Sequence, residues 1–121
     1  MTSSWSGRIF ASSQARKRIR YTWAGGMHEL DYWVIPKGCP NVDAATAFIA
    51  FASRPDRMAE QATLTAYGPA NKRAIEFVDQ SVLPHLPTNP DNWSRSFVIE
   101  SDWWAANEQK VQERWLLWKN K

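Results

Sequence analysis

Two carboxylates two positions apart are the most chemically suggestive pair in the sequence. Glu29 and Asp31 stand at the start of an apolar run, and on an extended strand such residues point to the same face. The pair could imitate a general acid and base. Nothing else in the chain supports hydrolysis, because it has no Gly-rich phosphate loop, no zinc-protease motif and no nucleophile elbow. We therefore interpret the pair as a cation-binding site in a protein that is not an enzyme.

Four cations close together suggest a second kind of chemistry. Arg16, Lys17, Arg18 and Arg20 are followed directly by Tyr21, so cations could hold phosphates while a ring stacks on a base. The net charge is only +3, and a solvated loop is the more common use of such a cluster. The alternative function is thus a small basic protein that binds nucleic acid or a protein partner through these cations. On balance we expect no nucleic-acid partner.

Metal and cofactor chemistry find little support. Cys39 is the single cysteine, which excludes an intrachain disulfide and a cysteine-based zinc site. His28 and His85 are far apart and have no His or Cys neighbour, so surface or turn roles suit them better than metal ligation. We expect neither a metal nor a cofactor.

Size and hydropathy describe a globular chain without membrane segments. Its 121 residues, 44% of them apolar, form one domain or part of one and can bury about two-thirds of the unfolded surface. No run approaches the roughly 18 apolar residues of a membrane span. The first eight residues do not resemble a signal peptide, so the chain as given is expected to remain in the cytoplasm.

The sequence predicts a few strands followed by several helices, and these elements must position Glu29 and Asp31. Short extended segments are predicted at residues 8–11 and 20–23, the latter ended by a turn at Gly25 and Gly26. Residues 30–35 are almost continuously apolar, which is typical of a strand covered on both faces.

Helices account for most of the second part of the chain. Asn41 is a good N-cap and Pro55 a good first helical residue. A proline-rich stretch at residues 83–90 is interpreted as a strap across one domain. A stripe of Trp104, Val111, Trp115 and Trp118 predicts that the last helix docks onto a protein core. The predicted helices cover residues 42–53, 55–67 and 71–78, and a last helix has Ser101 as its N-cap and ends near residues 119–121.

Several strings in this order resemble one family. They are Ser-Trp-Ser-Gly-Arg-Ile at residues 4–9, Asp-Tyr-Trp-Val-Ile-Pro-Lys-Gly at 31–38, Ala-Phe-Ile at 47–49 leading to Arg-Pro at 54–55, Tyr-Gly-Pro-Ala-Asn-Lys-Arg-Ala at 67–74, and Leu-Pro-Thr-Asn-Pro at 86–90. The chain resembles the bacterial extracellular solute-binding proteins of ABC importers, in the spermidine/putrescine-binding branch. The resemblance covers nearly all of its length.

The resemblance implies an α/β fold of a particular kind. It is the class II periplasmic-binding-protein fold, a two-lobed Venus-flytrap architecture, of which this chain resembles only the C-terminal portion. Residues 1–121 would then be a single incomplete domain, with crossover and second-lobe strands in 1–36 and mainly C-terminal helices in 37–121. The first lobe would precede Met1, the location would be periplasmic, and the complete protein would deliver its ligand to an ABC permease.

The resemblance also implies ligand-binding residues. Polyamine-binding members use a tryptophan, an aspartate and a tyrosine that fall here on Trp5, Asp31 and Tyr67. Ring faces attract an ammonium group by about 0.5–2 kcal/mol, and a carboxylate forms a charge-assisted hydrogen bond with it. Glu29 stands where polyamine binders tend to have an aromatic residue, so another small amine, amino acid or opine-like ligand stays open.

A chain that carries only part of this fold would also leave surface uncovered. Elements that normally pack against absent strands would expose apolar side chains, and exposed apolar surface favours association. We therefore expect that the chain could self-associate.

Overall fold

Helices dominate the structure, and two short strands that are distant in sequence form its sheet. The computed structural model describes residues 3–15 and 18–120. Its elements are α1 (Ser6–Gln14), β1 (Gly26–His28), α2 (Val42–Ala52), α3 (Pro55–Thr65), 3-10 helices at Lys72–Glu76 and Leu83–His85, α4 (Pro90–Trp93), β2 (Ser96–Val98) and α5 (Ser101–Lys119). Strands β1 and β2 are parallel, with Met27 opposite Phe97.

The corner between α2 and α3 follows the local sequence signals. Asn41 is the N-cap of α2 and Pro55 is the first residue of α3, so both predicted helix starts are confirmed. The Asn71 side chain donates to the Ser53 carbonyl at 3.0 Å and accepts the Arg73 N–H at 3.1 Å. Asn71 therefore connects the C-terminal end of α2 to the start of the 3-10 helix at Lys72–Glu76 through hydrogen bonds.

The hydrophobic core lies between α1, α3 and the two 3-10 helices. Fully or nearly fully buried apolar side chains come from α1, from α3 and its C-cap, from the first 3-10 helix, and from residues that flank the two 3-10 helices: Phe10, Ala59, Ala62, Ala66, Ala74, Val78, Val82 and Leu86. Small alanines on α3 allow the neighbouring backbones to approach closely. Val82 directly precedes the proline-rich stretch and Leu86 lies within it, and both belong to this core. The stretch is therefore a strap across the domain, as predicted.

The first two predicted strands are wrong. Residues 8–11 lie inside α1, where Gly7 and Phe10 are buried at a spacing of three, the period of a helix. Residues 20–23 form no strand. The turn after them is confirmed, because Gly25 has a φ of +74° and the Gly26 N–H donates to the Trp23 carbonyl at 2.9 Å. The strand of this region, β1, begins only at Gly26.

Residues 30–35 are also not a strand covered on both faces. They have no regular secondary structure, and Tyr32 and Val34 are 75% and 76% exposed. The last link to β2 is the Ile99 N–H donating to the His28 carbonyl at 2.9 Å. Beyond that point the described part of the chain supplies no neighbouring strand, and an isolated strand is not stable in water.

Two helices, α2 and α5, have apolar side chains that stay largely exposed among the described residues. Neither α2 nor α5 contains a buried residue, so the predicted docking of the tryptophan stripe onto a core is wrong for the described residues. Trp115 and Trp118 instead contact each other, with ring centroids 4.9 Å apart. Within the described ranges no helix combines the length and apolar character that a membrane span requires.

A row of aromatic rings joins the core to the sheet. In order of contact, it runs through Phe10, His85, Tyr21, Trp23, His28 and Trp93. The Tyr21 hydroxyl lies 2.7 Å from His85 Nδ1, which ties the segment before β1 to the strap. The row therefore sets the position of β1 relative to the core.

One histidine in this row is buried beside two indole rings. The His28 ring stacks on Trp93 at 4.4 Å and on Trp23 at 6.4 Å, and it is only 7% exposed. Its Nε2 atom is buried and has no hydrogen-bond partner within the described part of the chain. Burial lowers the pKa of His28 below the ordinary value of 6.5, because the charged ring would lose hydration.

Acid is therefore expected to destabilise the fold through His28. Below about pH 6.5 the unfolded chain takes up a proton that the folded chain resists, so the free energy of unfolding falls as pH drops from about 7 towards 5. Urea unfolding at a series of pH values measures this slope. His28→Phe keeps a ring in the stack and is expected to flatten the slope, whereas equal slopes in both proteins would contradict the assignment.

Candidate functional site

Two of the four predicted ligand-binding residues lie at or beside the first turn of α1. Trp5 is the N-cap, and its carbonyl accepts the Arg8 and Ile9 N–H groups at 3.1 and 3.2 Å. Gly7 is buried, and a Cβ atom there would lie 3.0 Å from Cζ of Tyr67 and would clash with the Thr65 carbonyl oxygen. The Tyr67 ring thus packs against the first turn of α1, two residues from Trp5.

The chain leaves α3 by a sharp turn that places Tyr67. Ala66 has a φ of +53° in the left-handed region and is completely buried, and Tyr67 follows it directly. The Tyr67 N–H donates to Thr65 Oγ1 at 3.3 Å. Both Trp5 (58%) and Tyr67 (40%) keep exposed ring surface, which a ligand could contact.

Glu29 lies in a separate groove between the segment after β1 and the start of α5. The groove has a volume of about 450 Å³ and is lined by two carboxylates, Glu29 and Glu108, and by the rings of Tyr32 and Trp104, among other side chains. Carboxylates and ring faces both favour a cation. Glu108 and Trp104 were not among the predicted site residues, since they are distant from Glu29 in sequence and on a stripe interpreted as core-facing.

Asp31 does not join either group. It is exposed, and the described residues form no hydrogen bond or ion pair with its side chain. The structure therefore places Tyr67 against the helical turn that follows Trp5 and places Glu29 in the groove, and no contact printed for the described residues connects the two places.

The other candidate chemistries gain no geometric support. Of the basic cluster, Arg16 and Lys17 lie outside the described residues, while Arg18 and Arg20 are exposed. In residues 3–15 and 18–120 no three His, Cys, Asp or Glu side chains are grouped so that they could hold a metal ion.

Comparison with known proteins gives a consistent set of matches. The bacterial extracellular solute-binding protein family matches residues 1–88. The gamma-aminobutyric acid-binding protein of Pseudomonas aeruginosa is 29% identical over 118 residues, which are 98% of this chain and 34% of that protein. Both the family and this relative are binding proteins rather than enzymes.

A solved structure supports the same relationship. The chain resembles a periplasmic binding protein of A. tumefaciens R10 in complex with agropinic acid, with 34% identity and a TM-score of 0.79. The match covers 96% of this chain and 37% of that one. The predicted α/β fold, a portion of a periplasmic-binding-protein fold, is confirmed. The chain spans about a third of the length of both relatives, and neither relative's description mentions a polyamine.

Proposed function

Because the chain belongs to the bacterial extracellular solute-binding protein family, we propose that it forms one wall of the solute site of an ABC importer's binding protein. Residues 1–121 act as a single incomplete domain in this proposal. Its location would be periplasmic and its protein partner an ABC permease. The match covers only about a third of the solved relative. The opposite wall of the site would come from the part of the family fold that lies outside this match.

The packing of Tyr67 against the start of α1 carries the proposal. It fixes the Tyr67 ring beside the first turn of α1, whose N-cap is Trp5, and both residues keep exposed surface. A ring held in this way can stack on a ligand with little loss of side-chain entropy. A fixed ring orientation benefits ligand binding. A tyrosine at a helix end that binds no ligand gains nothing from it.

The proposed ligand is a small solute that carries an amine. Ring faces at Trp5 and Tyr67 attract an ammonium group, and the carboxylates of Asp31 and Glu29 complement its charge. Asp31 is free to turn towards a ligand, because its side chain has no partner among the described residues. Amino acids of the gamma-aminobutyric acid type are supported by the relative's name, and putrescine and spermidine meet the same chemical requirement.

Calorimetry on two proteins tests this function. The first is the chain alone, and the second is the chain fused to the part of the A. tumefaciens relative that lies outside the match. We expect gamma-aminobutyric acid, putrescine, spermidine or agropinic acid to bind the fused protein, with little affinity for the chain alone. Equal and negligible binding of all four by both proteins would overturn the proposal.

Two substitutions in that fused protein test which side chains contact the solute. Trp5→Ala removes a ring contact worth about 0.5–2 kcal/mol, and Asp31→Asn removes a charge-assisted hydrogen bond worth about 1.5–3 kcal/mol. Affinity for the best solute is expected to fall about 2- to 30-fold in the first variant and about 10- to 150-fold in the second. Asp43→Asn, which neutralises an exposed carboxylate on α2, is the matched control and should leave affinity unchanged.

A further inference from the structure

The strap touches the backbone of the residue that follows Tyr67. A Cβ atom built at Gly68 would lie 2.5 Å from Thr88 Cγ2, 3.1 Å from Thr88 Oγ1 and 3.1 Å from Pro87 Cγ. Carbon atoms that are not bonded pack at about 3.5–4 Å, so no side chain fits between this backbone and the strap. Gly68 does not have a positive φ, so the close approach, and not the backbone conformation, requires a glycine here.

The strap itself is fixed where it makes this contact. Leu86, two residues before Thr88, is completely buried in the core. Asn92 Nδ2 donates to the Leu86 carbonyl at 2.8 Å, and Asn89 Nδ2 donates to the Leu83 carbonyl at 3.3 Å. Thr88 Oγ1 is buried and has no hydrogen-bond partner within the described residues. The Thr88 side chain therefore acts at this point through packing and not through a hydrogen bond.

The turn that carries Tyr67 is thus held from two directions. Before Tyr67, the side chain of Ala66 is completely buried, and the Tyr67 ring packs against Gly7 of α1. After Tyr67, the backbone of Gly68 rests on Thr88 of the strap. Thr88 is branched at Cβ and has few rotamers, which makes it a stiff support. If this support moved, the turn could retreat from α1 and the ring would lose its packing.

We propose that Gly68 and Thr88 are positioning residues of the solute site. Through their contact, the strap holds the Tyr67 ring against the first turn of α1 in the orientation that receives the solute. Neither residue touches the solute, because both act through Tyr67. The consequence for binding rests on the proposed function, whereas the positioning of the ring can be measured without any solute.

Fluorine NMR of the full chain labelled with 3-fluorotyrosine tests the positioning. The chain has three tyrosines, Tyr21, Tyr32 and Tyr67, and Tyr67→Phe identifies the signal of the third. In Gly68→Ala the new Cβ pushes the turn away from the strap, so the Tyr67 signal is expected to move or broaden. The Tyr21 signal should stay in place, because its hydroxyl lies 2.7 Å from His85 Nδ1 and reports that the strap is still docked.

Two further variants make the test specific to the contact between Gly68 and Thr88. Adding Thr88→Ala to Gly68→Ala removes both atoms of Thr88 that the new Cβ would meet, and it should restore the Tyr67 signal. Thr88→Ser removes only the methyl group and adds no bulk, so it should change the Tyr67 signal even if Gly68→Ala does not fold. Thr46→Ser, at an exposed position of α2, is the matched control and should change no tyrosine signal.

Calorimetry on the fused protein measures the consequence for binding. Gly68→Ala should lower affinity for the best solute by about 2- to 30-fold, the range for losing a ring contact with an ammonium group, and the double variant should recover it. An unchanged Tyr67 signal in both Gly68→Ala and Thr88→Ser would overturn the proposal. A changed signal with unchanged affinity would also overturn it. If the parent fused protein binds no solute, the proposed function fails, while a changed signal would still establish that the strap positions this ring.

Discussion

Replacing Gly7 by alanine is expected to reduce the free energy of unfolding by about 1–3 kcal/mol, the usual cost of forcing a methyl group into a filled space. The new Cβ would meet the Thr65 carbonyl oxygen, which belongs to the backbone and cannot rotate away. Relief requires α1 to move from the end of α3, and that movement separates Trp5 from Tyr67. The variant should therefore lose solute affinity as well as stability.

Urea unfolding and calorimetry on the fused protein measure the two effects of Gly7→Ala. Ala11→Val is a suitable control, because it enlarges an exposed residue of the same helix and should cost only the propensity difference of about 0.5 kcal/mol. A Gly7→Ala protein as stable as the parent would show that α1 does not pack against Tyr67 as described.

Leu86→Ala is expected to cost about 2–5 kcal/mol of unfolding free energy, the range for truncating a fully buried leucine. Leu86 is the largest completely buried side chain of the described residues, and it anchors the strap to the core. For a domain with the usual stability of about 5–15 kcal/mol, such a loss can unfold an appreciable fraction of the molecules.

A second leucine provides the matched control for Leu86→Ala. Leu117 on α5 is 71% exposed, so Leu117→Ala should change stability by less than about 0.5 kcal/mol. Chemical denaturation followed by circular dichroism compares the two variants. Similar losses for both would mean that the strap is not part of the core.

The sequence predicted those elements whose signals are local. Asn41 and Pro55 specify helix starts through the preferences of single residues, and both starts are confirmed. Residues 8–11 were misassigned because Ile9 and Phe10 are adjacent apolar residues, and so short a run does not separate a helix from a strand. Residues 30–35 have a strand-like pattern, but a strand also requires a neighbour that pairs with it.

The arrangement of the candidate site was beyond the reach of local sequence signals for a related reason. The family resemblance supplied Trp5 and Tyr67, and the structure places the Tyr67 ring against the turn that begins at Trp5. Glu108 and Trp104 also line the groove around Glu29. They lie close to Glu29 only because β2, which precedes α5 in the chain, pairs with β1. No spacing rule in one sequence connects residues that tertiary contacts alone bring together. The roles of all four predicted residues stay predictions until binding is measured.

The pairing of β1 with β2 also has a consequence for the order in which the chain is expected to fold. Gly26 meets Ser96, so forming this sheet closes a loop that contains α2, α3 and both 3-10 helices. Closing a loop of that size costs on the order of 4 kcal/mol in chain entropy, which is comparable with what the hydrogen bonds of two three-residue strands return. We therefore expect the core around α3 to form before the sheet. The segment that carries Glu29 and Asp31 would then be positioned late in folding and released early when the protein opens.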